Sequence, residues 1–174
     1  VTLLEHLYEG PNFEPVTRYL LDEARGDIYA YTGPHHPRAL ADAGHASPLD
    51  LDDYLAHGGF ESLVACREHG DGERILRDLD DHGMRGRGGG GFSTATKWRA
   101  VRAATGPEKV VICNADEGDP GAFMDRMILE SFPFRVIEGM AIAAATVGAQ
   151  EGIFYIRAAY PLAVQRVIEA IRLC

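Results

Sequence analysis

Cysteine is scarce in this chain and is not grouped. The 174 residues include only Cys66, Cys113 and Cys174, and no two of them have the Cys-x-x-Cys spacing that is typical of zinc or iron–sulfur sites. Three scattered cysteines also argue against the disulfide framework of a small secreted protein. We therefore expect a reducing compartment, with the cytoplasm as the default location.

Positive charge and long apolar runs are also in short supply. The chain has 17 lysine and arginine residues against 26 aspartate and glutamate residues, a formal net charge of -9, which makes nucleic acid an unexpected partner. The apolar runs at 3–7 and 140–147 fall far short of the ~20 residues of a membrane span, and no signal-peptide pattern opens the chain. The 46% hydrophobic content is enough for one domain with its own core.

Glycine, in contrast, is concentrated in one segment. Residues 85–92 are Arg-Gly-Arg-Gly-Gly-Gly-Gly-Phe, and each glycine inside a helix or strand costs about 0.5–1 kcal/mol relative to alanine. The segment therefore predicts a loop whose backbone amides approach a ligand, and phosphate suits exposed amides at a helix start. Ser93 and Thr94 are good N-cap residues for a helix that we expect over 95–104.

Charge around this loop supports an anionic ligand. Residues 85–107 contain no acid and five basic residues, namely Arg85, Arg87, Lys97, Arg99 and Arg102. Gly86, Gly88 and Gly91 match the spacing of the dinucleotide fingerprint, but that fingerprint follows a strand, whereas residues 72–82 predict a helix. The Gly-Lys-Ser/Thr of nucleoside-triphosphate loops is absent. A flexible hinge remains the alternative interpretation.

A second informative segment follows the loop and its helix. Residues 109–113 (Lys-Val-Val-Ile-Cys) predict a buried parallel strand, which runs into the acidic segment Asn-Ala-Asp-Glu-Gly-Asp-Pro-Gly at 114–121. Ligands of open α/β sheets collect beyond the carboxyl ends of the strands. These side chains therefore suit a polar organic ligand, although a solvated acidic turn is the alternative.

Together these motifs resemble a known family. Residues 84–92, Lys97-Trp98, 113–117, Pro120-Gly121 and Asp125-Arg126 are similar to the NADH-oxidising flavoprotein subunit of respiratory complex I. The same pattern marks the diaphorase subunits of NAD-reducing hydrogenases and the flavin subunits of NAD-linked formate dehydrogenases. The resemblance covers about residues 50–172, in order and without large gaps.

The resemblance implies an α/β fold: a Rossmann-like FMN-binding domain with a parallel sheet flanked by helices, incomplete in this chain. Residues 50–174 would form the N-terminal part of the FMN/NADH-binding domain, and residues 1–49 an unassigned N-terminal extension. The cofactors would be FMN and NAD(H), with hydride transfer between them followed by one-electron transfer to iron–sulfur clusters. This fragment alone would not be fully active.

The resemblance also assigns roles to individual residues. Those expected to bind the cofactor are Gly86, Arg87, Gly88, Gly89, Gly90, Gly91, Lys97, Asn114, Asp116 and Glu117. Glu117 is in addition the expected catalytic residue, because it would lie near the hydride path. Phe92 and Asp119 would contact NADH. No residue is assigned to a metal.

The family implies partners as well. Its members work with iron–sulfur electron-transfer subunits, and they carry cysteine ligands for a [4Fe-4S] cluster that are absent from this chain. We expect no direct membrane insertion, although the chain could serve at the cytoplasmic face of a membrane-bound complex. Complex I, hydrogenase and formate dehydrogenase contexts stay open. A non-catalytic docking subunit that keeps the fold but binds no flavin is the alternative function.

Periodicity and turn residues predict the remaining elements. Pro15–Ala24 predicts a helix and Asp27–Tyr31 a strand, while the adjacent His35 and His36 are interpreted as surface residues rather than a metal site. Further helices are expected over 49–56 (capped by Ser47), 60–68, 125–131, 133–147 and 161–173, with a second buried strand over 152–157. Strand, helix and strand in this order favour parallel pairing. Trp98 is expected in the core, and Arg157 as an ion-pair partner.

Overall fold

The computed structural model describes residues 8–9, 14–15, 47–70 and 72–174. Strands β1 (Tyr8–Glu9) and β2 (Glu14–Pro15) pair in antiparallel fashion. The helix predicted from Pro15 was wrong at that first residue, which lies in β2. The remainder of that helix, the strand at 27–31 and the histidine pair lie outside the described residues.

The elements from residue 51 onward are those that the sequence predicts, with ends that differ by at most two residues. In chain order they are α1 (Leu51–Ala56), α2 (Glu61–His69), α3 (Gly72–Asp81), α4 (Thr94–Ala103), β3 (Val110–Ala115), α5 (Met124–Ser131), α6 (Pro133–Val147), β4 (Glu151–Ile156) and α7 (Pro161–Leu173). No helix in these ranges is long and apolar enough to cross a bilayer.

The start of α1 corrects the sequence prediction. The helix was expected to begin at Leu49 with Ser47 as its cap, but it begins at Leu51 and is capped by Asp50. The Asp50 carboxylate accepts a hydrogen bond from the Asp53 main-chain N–H at 2.9 Å. A carboxylate is a good N-cap and is further favoured by the helix dipole, so the nearer acid takes the place of the serine.

β3 and β4 form a parallel pair, as predicted. Gln150 donates from its main-chain N–H to the Lys109 carbonyl at 3.4 Å, and Arg157 donates to the Ala115 carbonyl at 3.2 Å. The later residue of one strand thus pairs with the later residue of the other, so the two strands run in the same direction. The mixed α/β class expected from the sequence is confirmed.

The prediction that both strands are buried was wrong. Ile112 is 60% exposed and Tyr155 is 59% exposed, and Val110 and Ile153 are exposed as well. Along β3 the exposed positions alternate with half-buried Val111 and Cys113, as expected for a strand with one covered face. An apolar run alone cannot distinguish a strand with one covered face from a strand with two. Cys113, which the prediction places in a buried strand, is half-buried.

The chain divides into two units. The glycine-loop unit comprises residues 59–114 and 137–155. In it α3 packs against α4, with Leu76 and Ala95 fully buried at 0% exposure, while Trp98 is only half-buried. The buried Glu138 carboxylate accepts hydrogen bonds from the main-chain N–H groups of Phe60 (3.0 Å) and Leu63 (3.3 Å), and so caps α2 from a distant part of the chain.

The acidic-turn unit comprises the described residues up to 58, together with 115–136 and 156–174. In it α5 packs against α7, and the buried side chains include Leu129, Ala163 and Val167. Tyr54 of α1 stacks on Phe134 with ring centroids 5.6 Å apart. This small core holds the polar turn that follows β3.

Candidate functional site

The glycine-rich loop is a closed hairpin. Arg85 and Ser93 form an antiparallel bridge, flanked by hydrogen bonds from the Gly86 N–H to the Phe92 carbonyl (2.8 Å) and from the Thr94 N–H to the Met84 carbonyl (3.0 Å). The Arg85 guanidinium also donates to the Gly91 carbonyl at 3.0 Å. We call residues 84–94 the glycine hairpin. These bonds favour a structured loop over the flexible hinge.

The first turn of α4 leaves few N–H groups for a ligand. The Thr94 N–H already donates to Met84, and Ser93 caps the helix as predicted, its hydroxyl accepting from the Thr96 N–H at 3.2 Å. By contrast, the N–H groups of residues 88–91 make no hydrogen bond with any residue that the structure describes. The donors open to an anion are therefore those of the hairpin rather than those of the helix.

Two glycines of the hairpin have no internal reason to be glycine. Neither Gly88 nor Gly90 has a positive φ, and a Cβ at either position would meet no described atom within 4 Å. Gly91 differs, because its φ of 58° lies in the left-handed region that favours glycine. The space at positions 88 and 90 is therefore open to a group that approaches the backbone from outside, and binding of a phosphate there stays a prediction.

Charged and aromatic side chains surround the hairpin. A cavity of about 760 Å³ is lined by the end of α3 and by the hairpin, including Leu79, His82, Met84, Arg85 and Arg87. Phe92 is 61% exposed, which suits a stacking surface. Lys97 is exposed on α4, and its ammonium forms no ion pair with the described residues.

In the acidic-turn unit the carboxylate of Glu117 is bound by the protein itself. It accepts hydrogen bonds from the main-chain N–H groups of Asp125 (3.2 Å) and Arg126 (3.4 Å) in the first turn of α5. The carboxylate therefore caps this helix and faces the positive end of its dipole. Burial is the larger cause that raises the pKa of Asp125, and the negative charge of Glu117 adds to it.

Two further residues bind Glu117 from the end of β4. The Arg157 guanidinium donates to the Glu117 carbonyl at 2.9 Å, so its predicted role as an ion-pair partner is replaced by a bond to the main chain. The Tyr160 hydroxyl lies 3.3 Å from both the carbonyl oxygen and the carboxylate Oε2 of Glu117. Burial, followed by the charge of Glu117, raises the pKa of Tyr160.

A buried ion pair lies under the turn. Arg126 donates from Nε to Glu130 Oε1 at 2.8 Å, and the two side chains are only 9% and 1% exposed. The guanidinium also lies over the Tyr160 ring, 5.6 Å from its centroid, and Arg166 donates to the Glu130 carbonyl. Burial raises the pKa of Glu130, and the hydrogen bond from Arg126 offsets part of that effect.

The predicted site residues thus fall into two groups. The hairpin glycines, Arg87, Phe92, Lys97 and Asn114 belong to the glycine-loop unit, whereas Asp116, Glu117 and Asp119 belong to the acidic-turn unit. Asn114, Asp116 and Asp119 are exposed. That both groups bind one cofactor stays a prediction. Within the described ranges, no group of three or more His, Cys, Asp or Glu side chains could hold a metal.

Sequence reasoning missed two supporting residues. Tyr160 was given no role, and no spacing connects it with Glu117, 43 residues earlier. Arg85 was counted as a basic residue of the loop, but its bond across the hairpin was not foreseen. The Arg126–Glu130 pair did leave a signal, since opposite charges at i and i+4 face each other on a helix.

Comparison with known proteins relates these features to a family. Residues 79–173, more than half of the chain, match the family described as the Nuo51 FMN-binding domain. The chain is 43% identical over 133 residues to the NADP-reducing hydrogenase subunit HndC of Solidesulfovibrio fructosivorans, covering 76% of this chain and 27% of that protein. It is 41% identical over 121 residues to an NADH-quinone oxidoreductase subunit of Rhizobium meliloti, covering 70% and 29%.

A solved structure shows the same fold. The crystal structure of an NAD+-reducing [NiFe]-hydrogenase in the air-oxidized state matches with a TM-score of 0.63 and 36% identity, over 80% of this chain and 23% of that chain. The present chain spans less than a third of the length of each of these relatives.

Proposed function

Because the chain belongs to the Nuo51 FMN-binding domain family, we propose that it binds FMN and forms part of an NADH-oxidising module of a multisubunit oxidoreductase. The observation that carries this proposal is the glycine hairpin. It presents N–H groups that no described residue uses, and it has glycine at two positions where the protein itself leaves room for a side chain.

The hairpin residues would hold the cofactor by its charged end. The amides of Gly88, Gly89, Gly90 and Gly91 donate hydrogen bonds to phosphate oxygens, and the Arg87 guanidinium adds positive charge. Gly86 is held within the bridge of the hairpin, so it shapes the loop. Lys97 contributes a cation that favours the negative charge of a reduced flavin.

The residues at the end of β3 would provide the polar contacts of the ring and its side chain. Asn114 and Asp116 offer hydrogen-bonding groups, Phe92 offers a ring for stacking on the adenine of NADH, and Asp119 offers a carboxylate for a ribose hydroxyl. Glu117 places a negative charge that favours the positive charge developing on nicotinamide. Bound FMN supplies the hydride acceptor and the passage from two-electron to one-electron transfer.

The relatives support a proposal for the wider assembly. Their names describe subunits of hydrogenases and NADH-quinone oxidoreductases, so we propose that iron–sulfur subunits of a larger complex receive the electrons. A cytoplasmic location agrees with the few, scattered cysteines of the chain.

Flavin binding tests the proposal. The purified protein, supplied with FMN, should retain it with visible flavin absorbance that bleaches when NADH is added without oxygen. In Gly88→Ala, where the added methyl group meets no described atom, the fold should persist while FMN affinity drops at least about tenfold, equivalent to ~1.4 kcal/mol.

Gly139→Ala is the matched control. Gly139 is exposed in α6, and a methyl group added there also meets no described atom within 4 Å, so this variant should bind FMN as the original chain does. A protein that retains no flavin once free FMN is removed, yet still joins a partner complex, would support the non-catalytic docking subunit instead. Equal FMN affinity in Gly88→Ala and Gly139→Ala would remove the hairpin from the site.

A further inference from the structure

The hydroxyl of Tyr160 stands between two acceptors of one residue. It lies 3.3 Å from the Glu117 carbonyl oxygen and 3.3 Å from Glu117 Oε2, and the tyrosine is buried, with 8% exposure. A phenol hydroxyl has one proton to donate. The orientation of the hydroxyl therefore depends on which of the two acceptors forms the stronger hydrogen bond with it.

Two observations direct that proton to the carboxylate. The Glu117 carbonyl already accepts from the Arg157 guanidinium at the shorter distance of 2.9 Å. A hydrogen bond to an ionised acceptor is also about twice as strong as one between neutral groups. Arg157 therefore satisfies the main chain and leaves the Tyr160 hydroxyl for the side chain.

The surroundings keep both donors in place. A Cβ at position 118 would lie 3.3 Å from Arg157 Nη1, so glycine there gives the guanidinium close access to the turn. The Tyr160 ring lies under the Arg126 guanidinium at 5.6 Å, and Arg126 is in turn held by the buried Glu130. The hydroxyl thus projects from a ring packed against a buried ion pair.

The Glu117 carboxylate has about four acceptor positions. Asp125, Arg126 and Tyr160 donate to it, which leaves about one position for a donor from a ligand. Three donors from the protein therefore hold the carboxylate in place, while its remaining acceptor position stays open.

We propose that Tyr160 is a positioning residue, which holds the Glu117 carboxylate in its orientation beside the bound cofactor, with Arg157 keeping the Tyr160 hydroxyl available for that bond. The role given to Glu117 at the cofactor rests on the proposed function. The hydrogen-bond arrangement itself does not, so the two can be tested apart.

The first test needs no flavin. The ¹³C resonance of the Glu117 side-chain carboxyl group, recorded at neutral pH in the purified protein, should shift in Tyr160→Phe, because one of the three donors to this carboxylate is gone. Phenylalanine keeps the ring under Arg126. Tyr155→Phe, which removes a hydroxyl from an exposed tyrosine of β4, should leave this resonance unchanged.

Arg157→Gln is the second variant. Loss of the guanidinium frees the Glu117 carbonyl to compete for the Tyr160 proton, so the carboxyl resonance of Glu117 should shift in the same direction but by less. An unchanged Glu117 carboxyl resonance in Tyr160→Phe would overturn the proposal, whatever the protein does with flavin.

The second test uses the protein loaded with FMN. Tyr160→Phe should retain FMN, while the rate of flavin reduction at saturating NADH falls about tenfold and the NADH concentration that gives half of that rate stays the same. An unchanged rate at saturating NADH, or a loss of FMN from the variant, would overturn the proposal. If the original protein binds no FMN, the proposed function fails, and the NMR measurement still decides the role of Tyr160.

Discussion

The glycine hairpin and the acidic turn (residues 114–121) are both predicted to bind the cofactor, but they differ in how far the protein itself satisfies their hydrogen-bonding groups. The hairpin exposes residues 84–90 and leaves the N–H groups of 88–91 without an acceptor among the described residues. The turn surrounds the Glu117 carboxylate with donors from α5 and from Tyr160.

This difference separates two ways in which a motif residue contributes. A group left unused by the protein gains its partner only when a ligand arrives, so its loss affects binding and leaves the fold intact. A group already satisfied within the protein holds local structure, so its loss affects stability as well as function. The hairpin belongs to the first kind, and the turn with its buried ion pair to the second.

The largest effect that we expect on stability comes from the buried pair beneath the turn. Arg126→Ala leaves Glu130, 1% exposed, without its partner, and breaking a buried pair by removing one member costs about 3–5 kcal/mol. The free energy of unfolding in urea should fall by that amount. Arg172→Ala, which breaks an exposed pair with Glu169, should change it little. Equal losses in the two variants would show that the acidic turn does not depend on this pair.

The helices and strands could be predicted well because the residues that begin and end them act locally. Pro133 and Pro161 begin helices at the predicted residues, and Ser93 caps α4 as expected, since a cap or a first-turn proline acts on its own helix. At α1 the choice between Ser47 and Asp50 was wrong, because two competent caps lay three residues apart.

Contacts between distant residues could not be predicted in the same way. The bond between Tyr160 and Glu117 joins positions 43 residues apart, and Glu138 caps a helix that begins 77 residues before it. The exposed face of β3 was missed for a related reason. Its residues Val110 and Ile112 are apolar, and only the packing of other elements determines whether such a face is covered.

The pH dependence of stability gives a second test of the acidic turn. Burial raises the pKa of Glu130 above its ordinary value of 4.5, so the folded protein binds this proton more tightly than the unfolded chain does. The contribution of Glu130 to the free energy of unfolding is therefore fully present at pH values below its pKa in the unfolded chain. It is lost as the pH rises through its higher pKa in the folded protein.

Glu130→Gln removes this titration. The free energy of unfolding of the original protein minus that of Glu130→Gln should decrease as the pH rises from below 4.5, measured by urea unfolding across pH. Glu169→Gln controls for the loss of a negative charge at a more exposed position. A difference that stays constant or increases with pH would contradict the assignment of burial as the dominant influence on Glu130.

The smallest effect is expected in the glycine hairpin, where substitutions of two glycines should change the free energy of unfolding in opposite directions. Gly91 has a φ of 58°, so Gly91→Ala places a side chain in the left-handed region and should lower the free energy of unfolding by about 1 kcal/mol. Gly88→Ala adds a methyl group into open space at an ordinary φ and should raise it by up to ~0.5 kcal/mol, by restricting the unfolded chain. Urea unfolding without FMN would measure both. Should Gly88→Ala destabilise the protein as much as Gly91→Ala, glycine at position 88 would serve the fold, and the hairpin would resemble the acidic turn in supporting structure as well as binding.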